Sequence, residues 1–208
     1  MVLKTISLNK VPEIFRKDAN PNIPKEIIIK DGYLTSRFEY LALATLCSLK
    51  DPKNIFEIGT FEGYSTSILA MNAPKSRIYT LDLSPDIKKT KFDIGKLNRK
   101  YTPIKRKISF LSTKYSHRIK RLFGDSATFD FSKFKDKMDF VFIDGAHTYE
   151  YTKNDTEKAL EITKNKGVLV WHDFNHLYWP ETVKFLKEFS KIYNLYHIKN
   201  TYLVFLIK

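Results

Sequence analysis

Acidic, glycine and histidine residues follow several short apolar runs of this chain. Together, residues of these types could bind a ligand and catalyse a reaction. The clusters are Gly59-Thr-Phe-Glu-Gly63, Asp82, Gly124-Asp125-Ser126, Asp144-Gly-Ala-His147 and His172-Asp173-Phe-Asn175. Glycine lets the backbone turn tightly and approach a ligand. Carboxylates accept hydrogen bonds, and a histidine exchanges a proton near neutral pH. These residue types predict an active site that holds a polar ligand and moves a proton.

The apolar runs before these clusters are predicted to be strands that alternate with helices. Strands are predicted at 54–58, 77–81, 119–123, 138–144 and 167–171, and helices at 36–49, 64–72, 84–100, 152–165 and 180–193. Two closing strands, 194–198 and 201–207, are predicted to form a hairpin. This alternation is typical of a mainly parallel sheet with helices on both faces. Because ligands of such sheets bind beyond the carboxyl ends of the strands, we expect the clusters to share one edge.

Two helix starts carry particularly clear signals. Ser36 and Glu39 are spaced as a capping box before an apolar stretch, which predicts that a helix begins there. The triplet Ser84-Pro85-Asp86 combines an N-cap hydroxyl, a proline for the first turn and an acid near the helix dipole. It predicts a helix that runs to about Lys100.

The first cluster is a glycine loop between a strand and a helix, and its spacing limits the ligand. The loop after Glu57 lacks the Gly-x-Gly-x-x-Gly pattern that holds a pyrophosphate, and it lacks the P-loop lysine. Asp82 comes 23 positions after Gly59, at the end of the next predicted strand. An acid placed there accepts hydrogen bonds from ribose hydroxyls. The residues therefore predict a nucleoside ligand without a clamped pyrophosphate.

Length and composition bound the class of protein. The chain has 208 residues, of which 43% are apolar, enough for one domain with a core. One cysteine excludes a disulfide framework and a cysteine zinc site. We find no apolar run of membrane-spanning or signal-peptide length, which predicts a cytoplasmic protein with no membrane span. Residues 1–31, which contain three prolines, are predicted to be an N-terminal arm or lid, and residues 32–208 the single domain.

The positive charge is concentrated in one segment. The formal net charge is +13, and residues 87–121 alone contain 13 basic side chains and one acid, Asp93. Such a segment attracts phosphates, nucleic acid or other anions. A solvated helix face in a lysine-rich protein is the alternative interpretation, and the sequence leaves both open.

The ordered motifs resemble those of a known family. Glu57-Ile-Gly59-Thr-Phe-Glu-Gly63, Asp82 and Gly124-Asp125-Ser126 resemble class I S-adenosylmethionine (SAM) methyltransferases. The stretches 142–149 and 167–173 are similar to small-molecule O-methyltransferases, above all the sugar-modifying, macrocin O-methyltransferase-like branch. The resemblance covers residues 32–208. It implies a Rossmann-like α/β fold with a mostly parallel seven-stranded sheet, an antiparallel C-terminal strand and helices on both faces.

The resemblance also implies which residues bind SAM. Glu57, Gly59 and Gly63 would form the loop around its methionine part, and Asp82 would bind the ribose. Asp125 and Ser126 would lie beside the adenine. The alternatives are structural: Glu57 as a partner of loop N–H groups, Asp82 as a helix cap and Asp125 as a turn residue.

Asp144 and Asp173 end strands that are neighbours in the expected sheet order, so their carboxylates could converge on a divalent cation. Mg²⁺ prefers oxygen ligands, so Asn175 is the third candidate. In metal-dependent relatives an Asp or Asn directly follows the second acid, whereas Phe174 stands there in this chain. In the alternative interpretation, Asp144 positions the SAM amino group and Asp173 caps the next segment.

His147 is the candidate general base, with Asp144 three residues before it in the same loop. A neutral imidazole is available near pH 7, and the resemblance supports this role. A structural histidine bonded to backbone is the alternative. His172 directly precedes Asp173, and strand alternation is expected to turn it away from the site, so that its role is structural.

These observations predict a SAM-dependent O-methyltransferase that acts on a small hydroxylated acceptor of the sugar or glycoconjugate type, which could be anionic. The alternatives are a methyltransferase that binds nucleic acid through residues 87–121, and a SAM-fold binding protein without turnover. Related enzymes often pair, so the resemblance also allows a homodimer.

Overall fold

A mixed eight-stranded sheet forms the centre of the protein. The computed structural model describes residues 3–22, 36–95 and 108–208. The strands are β1 (Lys4–Ile6), β2 (Asn54–Ile58), β3 (Arg77–Asp82), β4 (Ile119–Phe123), β5 (Met138–Ile143), β6 (Thr163–Trp171), β7 (Tyr196–Ile198) and β8 (Val204–Ile207). Their spatial order is β1-β7-β8-β6-β5-β2-β3-β4. Only β8 runs antiparallel to its neighbours, β6 and β7. The predicted α/β class and antiparallel C-terminal strand are therefore confirmed.

Helices cover both faces of the sheet. They are α1 (Val11–Phe15), α2 (Arg37–Lys50), α3 (Tyr64–Asn72), α4 (Tyr149–Ile162) and α5 (Pro180–Phe189). The first three pack with one set of buried strand residues, and α4 and α5 pack with the other. Each fully buried large apolar side chain stabilises the fold by roughly 1.5–3 kcal/mol. Within the described ranges, none of the helices has the length and apolar composition that crossing a membrane requires.

The sheet has one strand more than expected because the N-terminal segment contributes β1. Lys4 to Ile6 pair in parallel with β7. Val11 is completely buried in the core, and the ring of Phe15 lies 6.1 Å from that of Phe205. The described part of the segment assigned to an arm is thus packed against the rest of the domain.

Helix α2 begins at the predicted capping box. The Ser36 hydroxyl accepts a hydrogen bond from the Glu39 backbone N–H at 3.2 Å, and the Glu39 carboxylate accepts one from the Ser36 N–H at 2.8 Å. These bonds satisfy two backbone donors that a helix start leaves free. The helix ends where Asp51 adopts a left-handed backbone conformation.

The helix predicted from Ser84 to about Lys100 is wrong over residues 84–94, which contain no helix. Residues 96–100 lie outside the described residues. This irregular segment, which contains a turn at Pro85 and Asp86, is held by tertiary bonds that local propensity does not encode. The Lys91 N–H donates to the Asp125 carboxylate at 2.6 Å, the Phe92 ring packs edge-on against Tyr151, and the Thr148 hydroxyl donates to the Asp93 carbonyl.

The boundary between α4 and β6 also differs from the prediction. The helix begins at Tyr149 and ends at Ile162, so it lies three residues earlier than expected at both ends. Strand β6 starts at Thr163 instead of Gly167. Thr163 leaves the helical conformation to pair with Met138, while its hydroxyl still donates to the Ala159 carbonyl. Pairing with β5 therefore outcompetes the continuation of the helix.

Candidate functional site

The predicted clusters lie at one edge of the sheet, as expected. Backbone bonds continue the strand ladders into the loops: the Gly59 N–H donates to the Leu81 carbonyl and the Asp144 N–H to the Ile58 carbonyl, each at 2.8 Å. The Gly124 N–H donates to the Asp82 carbonyl at 3.0 Å. These bonds fix the loops after β2, β3, β4 and β5 beside one another.

Gly59 occupies a position that excludes any side chain. Its φ is +98°, and an added Cβ would lie 1.9 Å from the backbone oxygen of Asp144. Backbone cannot move aside as a flexible side chain can. The glycine therefore lets the loops after β2 and β5 approach closely.

Replacing Gly59 with alanine should lower the free energy of unfolding by at least about 2 kcal/mol, because backbone strain and a backbone clash add. Gly95→Ala is the matched control. Gly95 also has a positive φ, +77°, but an added Cβ there meets nothing closer than 3.5 Å. We expect Gly95→Ala to cost about 1 kcal/mol. Urea denaturation of both variants measures the difference, and equal losses would contradict the clash.

Glu57 lies beneath the glycine loop and is completely buried. Its carboxylate accepts hydrogen bonds from the hydroxyls of Ser65 and Thr80 at 2.6 Å, and also from that of Thr66. Burial raises its pKa to about 7, although these hydroxyls oppose the shift. Glu57 thus ties β2 to β3 and to the first turn of α3, and supports the loop from below.

A second buried acid, Asp155 on α4, supports the loop after β5. Its Oδ2 atom lies 3.1 Å from the position of a Cβ at Gly145, and it has no hydrogen-bond partner among the described residues. Burial raises the pKa of Asp155 from 3.8 to about 7. The folded protein therefore keeps a proton that the unfolded chain releases in mild acid.

Stability should consequently fall as the pH rises through about 7. Between the unfolded and folded pKa values the folded state binds more protons, so the free energy of unfolding decreases from about pH 4 to about pH 7. The amide in Asp155→Asn cannot ionise, so this variant should raise the melting temperature at about pH 8 and flatten the profile. Asp18→Asn, at an exposed position, should leave the profile unchanged. Parallel profiles for wild type and Asp155→Asn would contradict the assignment.

Asp82 and Asp125 stand where they were predicted, at the ends of β3 and β4. Asp82 is half-buried at the strand edge, and its carboxylate accepts the Leu83 N–H at 3.0 Å. Asp125 is buried and accepts hydrogen bonds from the Lys91 N–H, the Ala127 N–H and the Tyr151 hydroxyl. Asp125 therefore organises the segment after β3.

The densest group of acidic and histidine side chains lies in the loops after β5 and β6. One ligand atom each from Asp144, His147 and Asp173 lies within 4.8 Å of the others. His147 Nε2 contacts the Asp173 carboxylate directly and lies 3.9 Å from Asp144 Oδ1. Asp144 is the more exposed acid, at 27% of its side chain, and Asp173 is buried. The predicted acid pair and the predicted base are thus brought together.

His172 was expected to face away from the site, and this prediction is wrong. Its Nδ1 atom lies 3.0 Å from Asp173 Oδ2 and 3.3 Å from Asp144 Oδ1. The cause is the backbone of Asp173, whose φ of +66° is left-handed. Regular strand alternation ends there, and the Asp173 side chain turns back toward both histidines.

The two histidines carry more positive charge than the sequence suggests. Burial would lower the pKa of His147, but Asp173 and Asp144 outweigh it and raise that pKa to about 9. The same two carboxylates hold the pKa of His172 well above 6.5, and the histidines hold that of Asp173 well below 3.8. Near neutral pH, His147 is therefore protonated, not neutral as expected. Its ring stacks on Trp179 at 3.9 Å.

Asn175, the third predicted metal ligand, has its side-chain oxygen engaged in other bonds. The Asn175 side-chain oxygen accepts the Leu177 N–H at 2.9 Å and the Tyr178 N–H at 3.4 Å, so it caps a turn. The residues that do converge are two carboxylates and one imidazole. This donor set suits Mn²⁺ or Zn²⁺ better than Mg²⁺, which favours oxygen ligands.

A cleft opens beside this cluster, with an empty volume of about 530 Å³ that includes space open to solvent. Its lining includes the loop from Thr60 to Ser65, the acid Asp144, the ring of His172 and the start of α2 at Glu39 and Tyr40. We call Asp144, His147, His172 and Asp173 the histidine–carboxylate cluster. Two of its members, Asp144 and His172, line the same cleft as the glycine loop, and a ligand could bridge the two.

Glu39 is a site residue that sequence reasoning missed. It is 3% exposed, and its Oε1 atom lies 3.4 Å from His172 Nε2 and accepts the Tyr202 N–H at 2.8 Å. The capping box explains only its other oxygen. The only available signal was an acid at the start of an apolar stretch, and the sequence does not reveal that Glu39 reaches His172, the residue after β6.

The basic segment 87–121 is described only in part, because residues 96–107 lie outside the described ranges. Arg118 in this segment has a structural role: its guanidinium donates to the carbonyls of Ala70, Ala73 and Ser76, at the end of α3 and after it. Arg121 lies over the ring of Phe123 at 4.7 Å. At least these two charges serve the fold.

Comparison with known proteins agrees with this geometry. The model of a methyltransferase domain family matches residues 56–174, more than half of the chain. Tapetum-specific methyltransferase 1 of Arabidopsis thaliana is 28% identical over 146 residues, which cover 70% of this chain. The aligned part spans 55% of that relative's length.

Solved structures share the fold. Podospora anserina methyltransferase PaMTH1, solved with SAH bound, has a TM-score of 0.65 at 16% identity, covering 96% of this chain and 94% of that one. A Staphylococcus aureus structure described as a caffeoyl-CoA O-methyltransferase has a TM-score of 0.62 at 18% identity, covering 97% of this chain and 90% of that one. The O-methyltransferase TomG from Streptomyces achromogenes, in complex with SAM, has a TM-score of 0.58 at 18% identity, covering 97% and 87%.

The family match spans every cluster from Glu57 to Asp173, and the structural likeness extends over nearly the whole chain. The chain therefore belongs to the methyltransferase domain family, with the Rossmann-like fold of class I SAM-dependent methyltransferases.

Proposed function

We propose that this protein transfers the methyl group of SAM to a hydroxyl oxygen of a small acceptor, such as a sugar or glycoconjugate. The observation that carries the proposal is that Asp144 lines the same cleft as the glycine loop and has His147 and Asp173 within 4.8 Å of it. Methyl donor and proton acceptor would meet there.

The reaction is an in-line displacement at the methyl carbon. A lone pair of the acceptor oxygen forms the new C–O bond while the C–S bond breaks, which leaves S-adenosylhomocysteine. Alignment of the two reactants supplies much of the rate enhancement. The acceptor's proton passes to an imidazole nitrogen of His147, and Asp173 and Asp144 stabilise the resulting positive charge.

His147 must first release to solvent the proton that it holds in the free protein. Bound SAM brings a positive sulfonium toward the same cleft. A nearby like charge disfavours the imidazolium and lowers its pKa, which favours the neutral ring. In this scheme SAM binding prepares the base for the acceptor.

A divalent cation is the alternative occupant of the cluster. Asp144, His147 and Asp173 would hold it, and it would lower the pKa of the acceptor hydroxyl. His147 cannot act as a base through a nitrogen that binds a metal. Chelation therefore separates the two schemes: activity that survives EDTA supports the base, and activity that requires added Mn²⁺, Zn²⁺ or Mg²⁺ supports the metal.

The reaction class is tested with SAM labelled in its methyl group. The protein is incubated with the small-molecule fraction and, separately, with the RNA fraction of a cell extract. We expect the label in a small molecule as a methyl ether identified by mass spectrometry. Label found only in RNA would favour the nucleic-acid alternative, and SAM binding without transfer to either fraction would favour a non-catalytic protein.

A further inference from the structure

A second cleft lies at the opposite edge of the sheet from the candidate active site, where the strands begin. Its empty volume is about 890 Å³, including space open to solvent. It is lined by the amino-terminal parts of β2, β3, β4, β5 and β6, where Asn54, Arg77 and Met138 are the first residues of their strands. Five of its lining side chains are cations: Arg77, Lys120, Lys133, Lys137 and Lys164. No acid lines it.

The cleft is open because the connection between β4 and β5 is short of regular structure. Residues 124–137 contain only one 3-10 turn, Ser132–Phe134, and no α-helix. Tyr79 on β3 and Leu122 on β4 therefore stay half-buried on this face. With the edge-on Phe134 ring, 4.9 Å from that of Tyr79, they give the cleft an apolar floor.

Most of the cations around this floor lack an acidic partner. Lys164 donates to Asp139 at 2.8 Å. No ion pair involves Arg77, Lys120, Lys133 or Lys137 in the part of the chain that the structure describes. Four cations without an ion pair thus line one groove, and of these Lys133 interacts electrostatically with the exposed Asp130. A groove lined by charges of one sign over an apolar wall concentrates anions.

Two of these lysines are held in place. The Lys133 ammonium lies 5.2 Å from the centre of the Phe134 ring and 5.8 Å from that of Phe129. The Lys137 ammonium donates to the Lys133 carbonyl at 2.8 Å. Ordered cations lose less conformational freedom when an anion binds than fully solvated ones.

The cleft is separate from the SAM site. Strand β2 runs from Asn54, which lines this cleft, to Ile58, next to the glycine loop. A strand rises about 3.3 Å per residue, so the two ends are roughly 13 Å apart. A molecule in the basic cleft would not touch the histidine–carboxylate cluster.

We propose that this basic cleft binds a small molecule that carries a chain of linked phosphates. Arg77 and Lys120 lie on the adjacent strands β3 and β4, which are about 4.8 Å apart, and Lys133 and Lys137 lie on the connection from β4 to β5. Such a spread of cations suits repeated anionic groups better than one phosphate. Lysine ammonium and arginine guanidinium groups are the usual protein partners of phosphate oxygens. The phosphate chain could belong to a nucleotide or to an inorganic oligophosphate.

Calorimetry on the whole chain tests the proposal, with S-adenosylhomocysteine in excess to occupy the active-site cleft. The probes are inorganic tripolyphosphate, ATP and orthophosphate. We expect tripolyphosphate to bind at least about ten-fold more tightly than orthophosphate. Equal affinity for ATP and tripolyphosphate indicates recognition of the phosphates alone, and tighter ATP binding indicates that the apolar floor also contributes.

Charge-neutralising variants locate the site. Lys120→Gln and Lys137→Gln should each weaken tripolyphosphate binding roughly five-fold, whereas Lys199→Gln, at an exposed turn near β7, should not change it. All three positions are exposed, and melting temperatures verify the folds. Equal weakening by all three variants, or tripolyphosphate binding no better than orthophosphate, would overturn the proposal. Binding of single-stranded RNA through Lys120 and Lys137 without tripolyphosphate binding would also overturn it.

Discussion

Replacing His147 with asparagine is expected to lower kcat by about 10²- to 10⁴-fold, the range that a positioned general base contributes. Asparagine keeps a polar side chain beside Asp173 but cannot accept the proton at neutral pH. The affinity for S-adenosylhomocysteine should stay within about two-fold, because it is the proton acceptor that is lost. Methyl transfer from labelled SAM measures the first effect, and calorimetry measures the second.

His117→Asn is the matched control for this variant. His117 is exposed and lies outside the histidine–carboxylate cluster, so its replacement should leave kcat unchanged. Retention of most of the wild-type kcat by His147→Asn would remove His147 from the chemistry. Loss of kcat together with a large drop in melting temperature would mark His147 as structural instead.

Asp82→Asn is expected to weaken the binding of S-adenosylhomocysteine by about ten- to a hundred-fold. In the proposed complex the Asp82 carboxylate accepts hydrogen bonds from the ribose hydroxyls, and bonds to a charged group contribute about 1.5–3 kcal/mol each. Asparagine retains one acceptor oxygen without the charge. Calorimetry gives the dissociation constant directly.

Asp86→Asn provides the comparison, since Asp86 is an exposed acid four residues further along the chain. It should bind S-adenosylhomocysteine as wild type does. If the Asp82 and Asp86 variants bind equally well, Asp82 does not hold the ribose, and the glycine loop has to be reconsidered as part of a different ligand site.

Local sequence patterns predict much of the fold and the edge of the sheet at which the candidate site lies. Short apolar runs such as the one before Gly59 became parallel strands, and the residues after them meet at one edge because parallel strands end on the same side. The Ser36–Glu39 capping box placed a helix start correctly because it depends on bonds within one turn.

What the sequence could not predict depends on tertiary contacts. The Ser84 helix signal is overridden by the bond from Lys91 to Asp125, which lies 34 residues away. His172 joins the cluster because Asp173 adopts a left-handed conformation that no local pattern requires. The protonated state of His147 likewise depends on Asp173, a residue of another loop.

Glu39 takes part both in a local helix cap and in a tertiary contact of the site. One carboxylate oxygen caps α2, as the sequence predicts, and the other lies beside His172 and the Tyr202 N–H. The start of α2 is thereby connected to the wall of the cleft. A change at Ser36 should accordingly affect the position of this acid as well as the helix start.

The central claim is that the chain binds SAM in the cleft between the glycine loop and the histidine–carboxylate cluster. Calorimetry of the wild-type protein tests this claim most directly. We expect saturable one-to-one binding of S-adenosylhomocysteine that competes with SAM. Folded protein that releases or absorbs no binding heat with either compound across a range of temperatures would contradict the account.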